Sequence, residues 1–140
     1  MRSFVLQILL AIIVLPAARA GTRSICFISE GTKRATRLRF DFPDSESELG
    51  EVHYEKGHGA IKIKRLKEIE VARHGDRPSE VQTNFVEILD KGEGGTYQIV
   101  TQGAIVLGLK FLPRAKGKPI AFKHDEDGGG EDECGWKAKP

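Results

Sequence analysis

The chain has 140 residues, and its hydrophobic fraction of 39% and charged fraction of 30% are typical of a globular domain. The 22 lysines and arginines are nearly balanced by 20 aspartates and glutamates. This balance excludes nucleic-acid binding and charge-driven binding to an anionic membrane, because both need a large basic excess.

The first 20 residues have the pattern of a secretory signal peptide. Arg2 gives a positive start, residues 4–15 are almost entirely apolar, and Ala18 and Ala20 occupy the −3 and −1 positions of a cleavage site. The alternative, an uncleaved membrane anchor, needs about 20 apolar residues. We therefore expect cleavage after Ala20 and a periplasmic or secreted mature chain, residues 21–140, that forms one domain and is not inserted in a membrane.

The mature chain would carry two cysteines, Cys26 near its start and Cys134 near its end. Export places both in an oxidising compartment, so we expect one disulfide that ties the two ends of the domain together. The alternative, a reactive or metal-binding pair of thiols, has little support. No C-x-x-C motif is present and no histidine is close to either cysteine in sequence.

Strands are predicted from the start of the domain, because residues 36–42 and 51–55 alternate between apolar and charged side chains. The side chains expected to point inward are Leu38, Phe40, Phe42, Val52 and Tyr54. The polar residues 43–50 between these stretches are typical of a hairpin loop.

Residues 61–73 allow two interpretations. As two short strands with a break near Arg65, they place Ile61, Ile63, Ile69 and Val71 inward; as a helix, they place Ile63, Leu66 and Ile69 on one stripe. We favour the strands, because the alternation is cleaner than the helical stripe. A turn is expected at residues 74–78.

The second half continues with strands at residues 81–89, 96–102, 104–112 and 119–124, separated by turn-rich segments such as the glycine-rich 90–95. Ile105, Leu107, Leu109 and Phe111 are expected to share one face. The sequence therefore predicts an all-β, antiparallel meander of eight or nine strands that closes into a small barrel, with a two-sheet sandwich as the alternative. The bulky inward residues favour a packed core over the cavity of a small-ligand carrier.

Catalytic and metal-binding patterns are weak in this chain. The four histidines lie beside or within two residues of charged or glycine residues, and no zinc-protease, serine-hydrolase or phosphate-loop motif occurs. The acidic, glycine-rich residues 125–133 have hard oxygen ligands, yet their spacing differs from that of a calcium-binding helix-loop-helix motif, and we interpret them as a solvated loop. We predict no catalytic residue, no cofactor and no metal site. An enzyme of another type would need two or more histidines to converge with a carboxylate.

One motif points to a partner. The segment from Tyr97 to Gly103, with Thr101 and Gln102 inside it, resembles the Y-x-x-x-T-K-G motif of the periplasmic and membrane-bound inhibitors of C-type lysozyme, with Gln102 in place of lysine. That family consists of small exported β-barrels with a cysteine near each end. Its second motif, S-G-x-x-Y, has its nearest match at Glu93, which replaces the serine.

The resemblance implies that the serine and lysine positions enter the lysozyme cleft, where paired carboxylates attract a cation. A neutral Gln102 lacks that attraction, and Glu93 would be repelled. The chain is also similar to small exported proteins of Gram-negative bacteria that share a Cys-containing first strand, a central Gln-Gly turn and a terminal Cys-x-Trp.

From the sequence we therefore expect a monomeric or weakly associating, non-catalytic module that binds a protein, with C-type lysozyme as the first candidate. The residues predicted to bind are Glu93, Tyr97, Thr101, Gln102 and Gly103. The alternatives are a small-ligand carrier and an enzyme of unrecognised type.

Overall fold

The computed structural model describes residues 23–44, 46–126 and 134–136, and these form an all-β barrel. Eight antiparallel strands follow one another around the barrel in chain order, as the sequence predicts. The strands are β1 Ser24–Ser29, β2 Arg37–Asp41, β3 Leu49–Tyr54, β4 Ala60–His74, β5 Arg77–Leu89, β6 Gly92–Gln102, β7 Ile105–Leu112 and β8 Ile120–His124. The sandwich alternative is thereby excluded.

The barrel closes where β1 pairs with β8, through residues 27–29 and 122–124. Because each strand reverses direction, the connections alternate between two ends. The connections β2–β3, β4–β5 and β6–β7 share what we call the hairpin end, and the other four lie at the opposite end. The described part of the chain contains no helix that is long and apolar enough to span a membrane.

The interior is filled by aromatic and aliphatic side chains from every part of the sheet. Phe40 lies at the centre, with its ring centroid 4.8 Å from Phe42, 5.0 Å from Phe85 and 5.8 Å from Tyr97. The largest fully buried side chains are Tyr97, Phe27, Phe40, Phe85, Leu38, Ile63, Ile99 and Val52. The predicted inward positions of Leu38, Phe40 and Val52 are thus confirmed.

Residues 61–73 belong to one strand, so the preference for strand over helix is confirmed, but the division into two strands is wrong. β4 has 15 residues and continues through an irregularity between Arg65 and Glu68, where two residues, Leu66 and Lys67, lie opposite one residue of β5, Asn84. The extra residue changes which side chains face inward. As a result, Ile69 and Val71, which were expected to be buried, are 44% and 48% exposed.

An irregularity in β7 corrects the predicted inward face of residues 104–112. Thr101 pairs with Val106 and Val100 pairs with Gly108, so Leu107 has no partner on β6. Leu109 is buried and Phe111 packs against the core as predicted, but Val106 takes the next inward position. Ile105 and Leu107 lie outside instead, at 63% and 49% exposure.

Two predicted connections are shorter in the structure. The turn expected at residues 74–78 is reduced to Gly75 and Asp76, and the connection expected at residues 90–95 is reduced to Asp90 and Lys91. Two-residue turns leave more of the chain in strands. Strands β5 and β6 are therefore longer than the sequence predicts.

The predicted disulfide is present and joins Cys26 of β1 to Cys134, 108 residues later. It holds the carboxyl-terminal segment against the outside of β1, where Asp125 N also donates to Cys26 O at 2.8 Å. A disulfide of this kind fits an oxidising compartment. The predicted signal peptide, residues 1–20, and most of the acidic loop, residues 127–133, lie outside the described residues.

Replacing both cysteines by alanine should lower the free energy of unfolding by about 4–5 kcal/mol, because the crosslink closes a loop of more than 100 residues in the unfolded chain. Urea unfolding of the oxidised protein and of the double variant measures this difference. A loss below about 1 kcal/mol would contradict the loop-closure argument.

Candidate functional site

All five residues predicted to bind a partner lie on β6 or in the turn after it; they are Glu93, Tyr97, Thr101, Gln102 and Gly103. Glu93 is at the opposite end of the barrel, whereas Gln102 and Gly103 are at the hairpin end. The ten residues from Glu93 to Gln102 span about 30 Å in an extended strand. These two parts of the predicted site therefore do not form one small contact surface.

Tyr97 is fully buried, so its side chain does not reach the surface. Its hydroxyl donates to Glu87 Oε1 at 2.8 Å and lies 2.7 Å from the hydroxyl of Tyr54. Because the single Tyr97 proton is directed to Glu87, Tyr54 donates to Tyr97. Tyr97 thus has a structural role at the centre of a hydrogen-bonded chain.

Glu87 is the buried acceptor at the end of this chain, and it is satisfied twice. Its Oε1 accepts from Tyr97, and its Oε2 accepts from the backbone N of Gly95 at 3.0 Å. Gly94 and Gly95 allow this approach, since a Cβ at Gly94 would overlap the Glu87 carboxylate and a Cβ at Gly95 would overlap the ring of Phe111. Gly94 and Gly95 are therefore required by packing within β6 and do not form a turn.

Burial raises the pKa of Tyr54 and of Tyr97, the two hydrogen-bonded tyrosines, above the usual value for tyrosine. For Tyr97 the largest cause is desolvation, followed by the neighbouring Tyr54 and the nearby Glu87 carboxylate. For Tyr54 the main cause is also desolvation. Both hydroxyls stay protonated when a solvated tyrosine would ionise, so the hydrogen-bonded chain remains intact at neutral pH.

Substituting alanine at Gly95 should destabilise the barrel by several kcal/mol, because the added methyl group collides with the Phe111 ring and the Leu112 carbonyl. Gly108, in β7, is the matched control. A Cβ there would contact nothing within 4 Å, so Gly108→Ala should change stability by less than about 1 kcal/mol. Thermal unfolding of both variants tests this, and equal losses would contradict it.

Alkaline pH should unfold the protein through the two tyrosines. Their pKa values are raised in the folded state, so their contribution is complete below about pH 10 and is lost as the pH rises above it. Above about pH 10, each tyrosine that is protonated only in the folded state lowers the free energy of unfolding by about 1.4 kcal/mol per pH unit. Tyr97→Phe should therefore make the free energy of unfolding fall less steeply with pH, by the contribution of one tyrosine, between about pH 10 and 12.

The matching measurement is urea unfolding of both proteins from pH 8 to 12, where lysine and arginine titration is common to the two. At pH 8, Tyr97→Phe should already cost about 1–3 kcal/mol, because Glu87 loses a donor in a buried site. Identical pH dependence in the two proteins would contradict the assignment.

The second surface feature is a sheet that extends beyond the barrel at the hairpin end. β3 begins at Leu49, opposite Lys64, so β4 residues 66–74 have β5 on one side and no strand on the other among the described residues. The last backbone contact of β4 on that side is Arg65 N to Glu48 O. We call residues 66–83, with the end of β6 and the start of β7 (99–107), the projecting sheet.

The projecting sheet carries a concentration of exposed large apolar side chains. They are Leu66, Ile69, Val71, Ile105 and Leu107. Ile69 lies directly opposite Gln82, which lies opposite Val100, so this row shares the outer face of the sheet. This surface was not predicted from the sequence, because alternation assigns four of these five side chains to the inner face of the sheet. The available signal was the length of the predicted strand region 61–73, which exceeds that of β3.

Gln102 and Gly103 lie beside the same surface. Gln102 Nε2 donates to the carbonyl of Pro78 at 3.1 Å, and the turn carbonyl of Ala104 accepts from the guanidinium of Arg23 at 2.8 Å. Gly103 has a φ of 59°, which favours glycine. The predicted Gln-Gly turn is therefore fixed against β5 and has an arginine next to it.

The described residues give little support to the two alternative functions, a small-ligand carrier and an enzyme. The barrel interior is packed, and the described cavities lie at its mouth or on its outer surface; the one at the hairpin-end mouth measures about 160 Å³ and is lined by Thr101, Arg65 and Glu68 among others. The histidines lie on separate elements. One group of three possible ligand side chains lies close together among the described residues, and His53 is its single histidine, beside Asp41 and Glu51. The converging histidines that an enzyme would need are not seen in this part of the chain.

Comparison of the chain with protein-family models, with curated proteins and with solved structures gives no match. The resemblance to the lysozyme inhibitors stays a prediction from the short motif and the cysteine positions.

Proposed function

We propose that this protein is an exported, non-catalytic module that binds another protein through the projecting sheet. The observation that carries the proposal is the edge of β4 over residues 66–74, which has a neighbouring strand on one side only among the described residues. An edge of this kind presents backbone donors and acceptors to an extended segment, which adds to the sheet as a further strand.

The side chains along this edge define the chemistry of the partner segment. Ile69 and Val71 are both nearly half exposed, so they suit apolar side chains of the added strand. Glu68 and Glu70 alternate with them and suit basic ones. The partner is therefore a protein with an extended segment in which apolar and basic residues alternate.

The same edge is poorly suited to a second copy of the chain. The antiparallel pairing that would place Ile69 against Val71 of another copy also places Glu70 against Glu70 and Lys67 against Arg73. Like charges directly opposite each other are destabilising, and charged edges are a usual protection against self-association. This favours a monomeric or weakly associating protein in the periplasm or outside the cell.

A cell-wall hydrolase such as C-type lysozyme is the first candidate partner. The resemblance of residues 97–103 supports it, and the part of that motif that reaches the surface, Gln102 and Gly103, borders the projecting sheet. Arg23, which donates to the turn carbonyl of Ala104, supplies a cation near the position where Gln102 replaces lysine. Such a cation is complementary to paired carboxylates in a lysozyme cleft.

The position of the surface can be tested with two matched substitutions. Val71 and Leu89 are 48% and 47% exposed on strands at opposite ends of the barrel. Val71→Lys should weaken binding of a C-type lysozyme by about tenfold or more, because it puts a charge in the interface, whereas Leu89→Lys should leave it within about twofold. Gln102→Lys should strengthen it. Titration calorimetry and inhibition of cell-wall lysis measure these effects on oxidised residues 21–140.

If no lysozyme binding is seen at a large excess of this protein, lysozyme is rejected as the partner. Whether the projecting sheet binds another protein is tested separately. A photo-crosslinking residue at position 71 should capture a second protein in the exporting cell, and the same residue at position 89 should not. Adducts at neither position, or equal adducts at both, would reject the projecting sheet as the binding surface.

A further inference from the structure

The outer face of β2 and β3 carries a cluster of four polar side chains in two cross-strand pairs. Arg39 lies opposite His53, and Asp41 lies opposite Glu51. Directly opposite residues point to the same side of a sheet, with Cβ atoms about 4.5–5.5 Å apart. The imidazole of His53 and the two carboxylates therefore meet on the outside of the barrel, on strands that take no part in the projecting sheet.

The imidazole nitrogen of His53 faces two acceptors at once. His53 Nε2 is 3.2 Å from Asp41 Oδ2 and 3.2 Å from Glu51 Oε2. A ring nitrogen carries at most one hydrogen, so it can donate to only one of these oxygens at a time. The hydrogen bond runs between His53 Nε2 and Glu51 Oε2, while Asp41 Oδ2 accepts from Arg39 at 2.9 Å. A cation between the three atoms would instead be attracted by all of them.

The spacing of these atoms suits a small transition-metal cation. Zinc binds histidine nitrogen at about 2.0–2.1 Å and carboxylate oxygen at about 2.0–2.2 Å in a tetrahedron, which puts neighbouring ligand atoms about 3.3–3.5 Å apart. The observed 3.2 Å contacts are close to that separation, and all three atoms lie within 4.8 Å of one another. Hard cations such as Mg²⁺ prefer oxygen ligands alone.

The Asp41 carboxylate is held in place by its other neighbours. Ser24 Oγ donates to Asp41 Oδ1 at 2.7 Å, and Arg39 donates to both carboxylate oxygens at 2.9 Å. Carboxylates that bind metals are usually oriented by such hydrogen bonds. The positive charge of Arg39 offsets one carboxylate, so the combined charge of Arg39, Asp41 and Glu51 is about −1, which attracts a divalent cation. Glu51 is about half exposed, which leaves room for water as a fourth ligand.

We propose that Asp41, Glu51 and His53 form a binding site for a divalent transition-metal cation of the zinc type. The site is independent of the proposed protein-binding function. The sequence alone predicts no metal site, because the three ligands lie on two strands joined by a loop and show no recognised spacing. The register of β2 and β3 brings them together.

Titration calorimetry with zinc chloride and tag-free, oxidised protein tests the site. The unaltered protein should bind one zinc ion, and His53→Ala and Glu51→Gln should each weaken binding by about tenfold or more. His74→Ala is the matched control, because His74 Nε2 contacts one carboxylate, that of Glu80, at 2.7 Å. It should change affinity by less than about twofold. Magnesium chloride should give no comparable binding.

The variants also separate this site from other cation binding. All of them keep the acidic residues 125–133, so any zinc held by that loop is common to the series. Glu51→Gln keeps the size of a half-exposed side chain, and an unchanged near-ultraviolet circular dichroism spectrum would show that the barrel is intact. Saturable zinc binding should also raise the melting temperature of the unaltered protein and not of His53→Ala.

The proposal is overturned if the unaltered protein shows no saturable zinc binding. It is also overturned if His53→Ala and Glu51→Gln bind as tightly as the unaltered protein, or if His74→Ala weakens binding as much as they do. Magnesium binding of similar strength would show that the cluster is a general attractor of cations and would overturn the assignment to a zinc-type site.

Discussion

The unequal length of neighbouring strands is the constraint on which the surface of this protein depends. β4 has 15 residues and β5 has 13, whereas β2 and β8 have five each. A barrel can close only over the length that all its strands share, so the excess of the long strands must extend beyond it. The extension lies at the hairpin end, where it leaves one side of β4 without a strand among the described residues.

Closure also requires that the interior be filled and its polar groups satisfied. Glu87 points inward from β5, and a buried carboxylate is costly unless it is hydrogen-bonded. Tyr97 and the backbone of Gly95 supply the two donors, and both belong to β6. The motif residue Tyr97 is therefore fixed by the demands of the core. Any recognition by residues 97–103 must come from their hairpin end, where Gln102 and Gly103 reach the surface.

The strand order and the inward set of the first half could be predicted from sequence, because residues such as Leu38, Phe40 and Val52 follow an unbroken period of two. The candidate surface could not. A bulge adds one residue to a strand and reverses the pattern beyond it. The sequence suggests a break near Arg65, but it does not show that the strand continues through it with the pattern reversed, and it gives no sign of the irregularity at Leu107. Long-range register, which places His53 beside Asp41, is likewise invisible in a linear motif.

The same irregularities link the packing of the core to the proposed binding surface. Beyond each bulge, apolar side chains that alternation would bury are turned outward, as Ile69, Val71 and Ile105 are. Full burial of one such side chain stabilises a protein by about 1.5–3 kcal/mol. In the isolated protein, each outward apolar side chain lacks part of that stabilisation. A partner strand on β4 would recover it for the edge residues Ile69 and Val71, and would satisfy the backbone of the edge at the same time. The outward apolar residues are a cost to the monomer that association would offset.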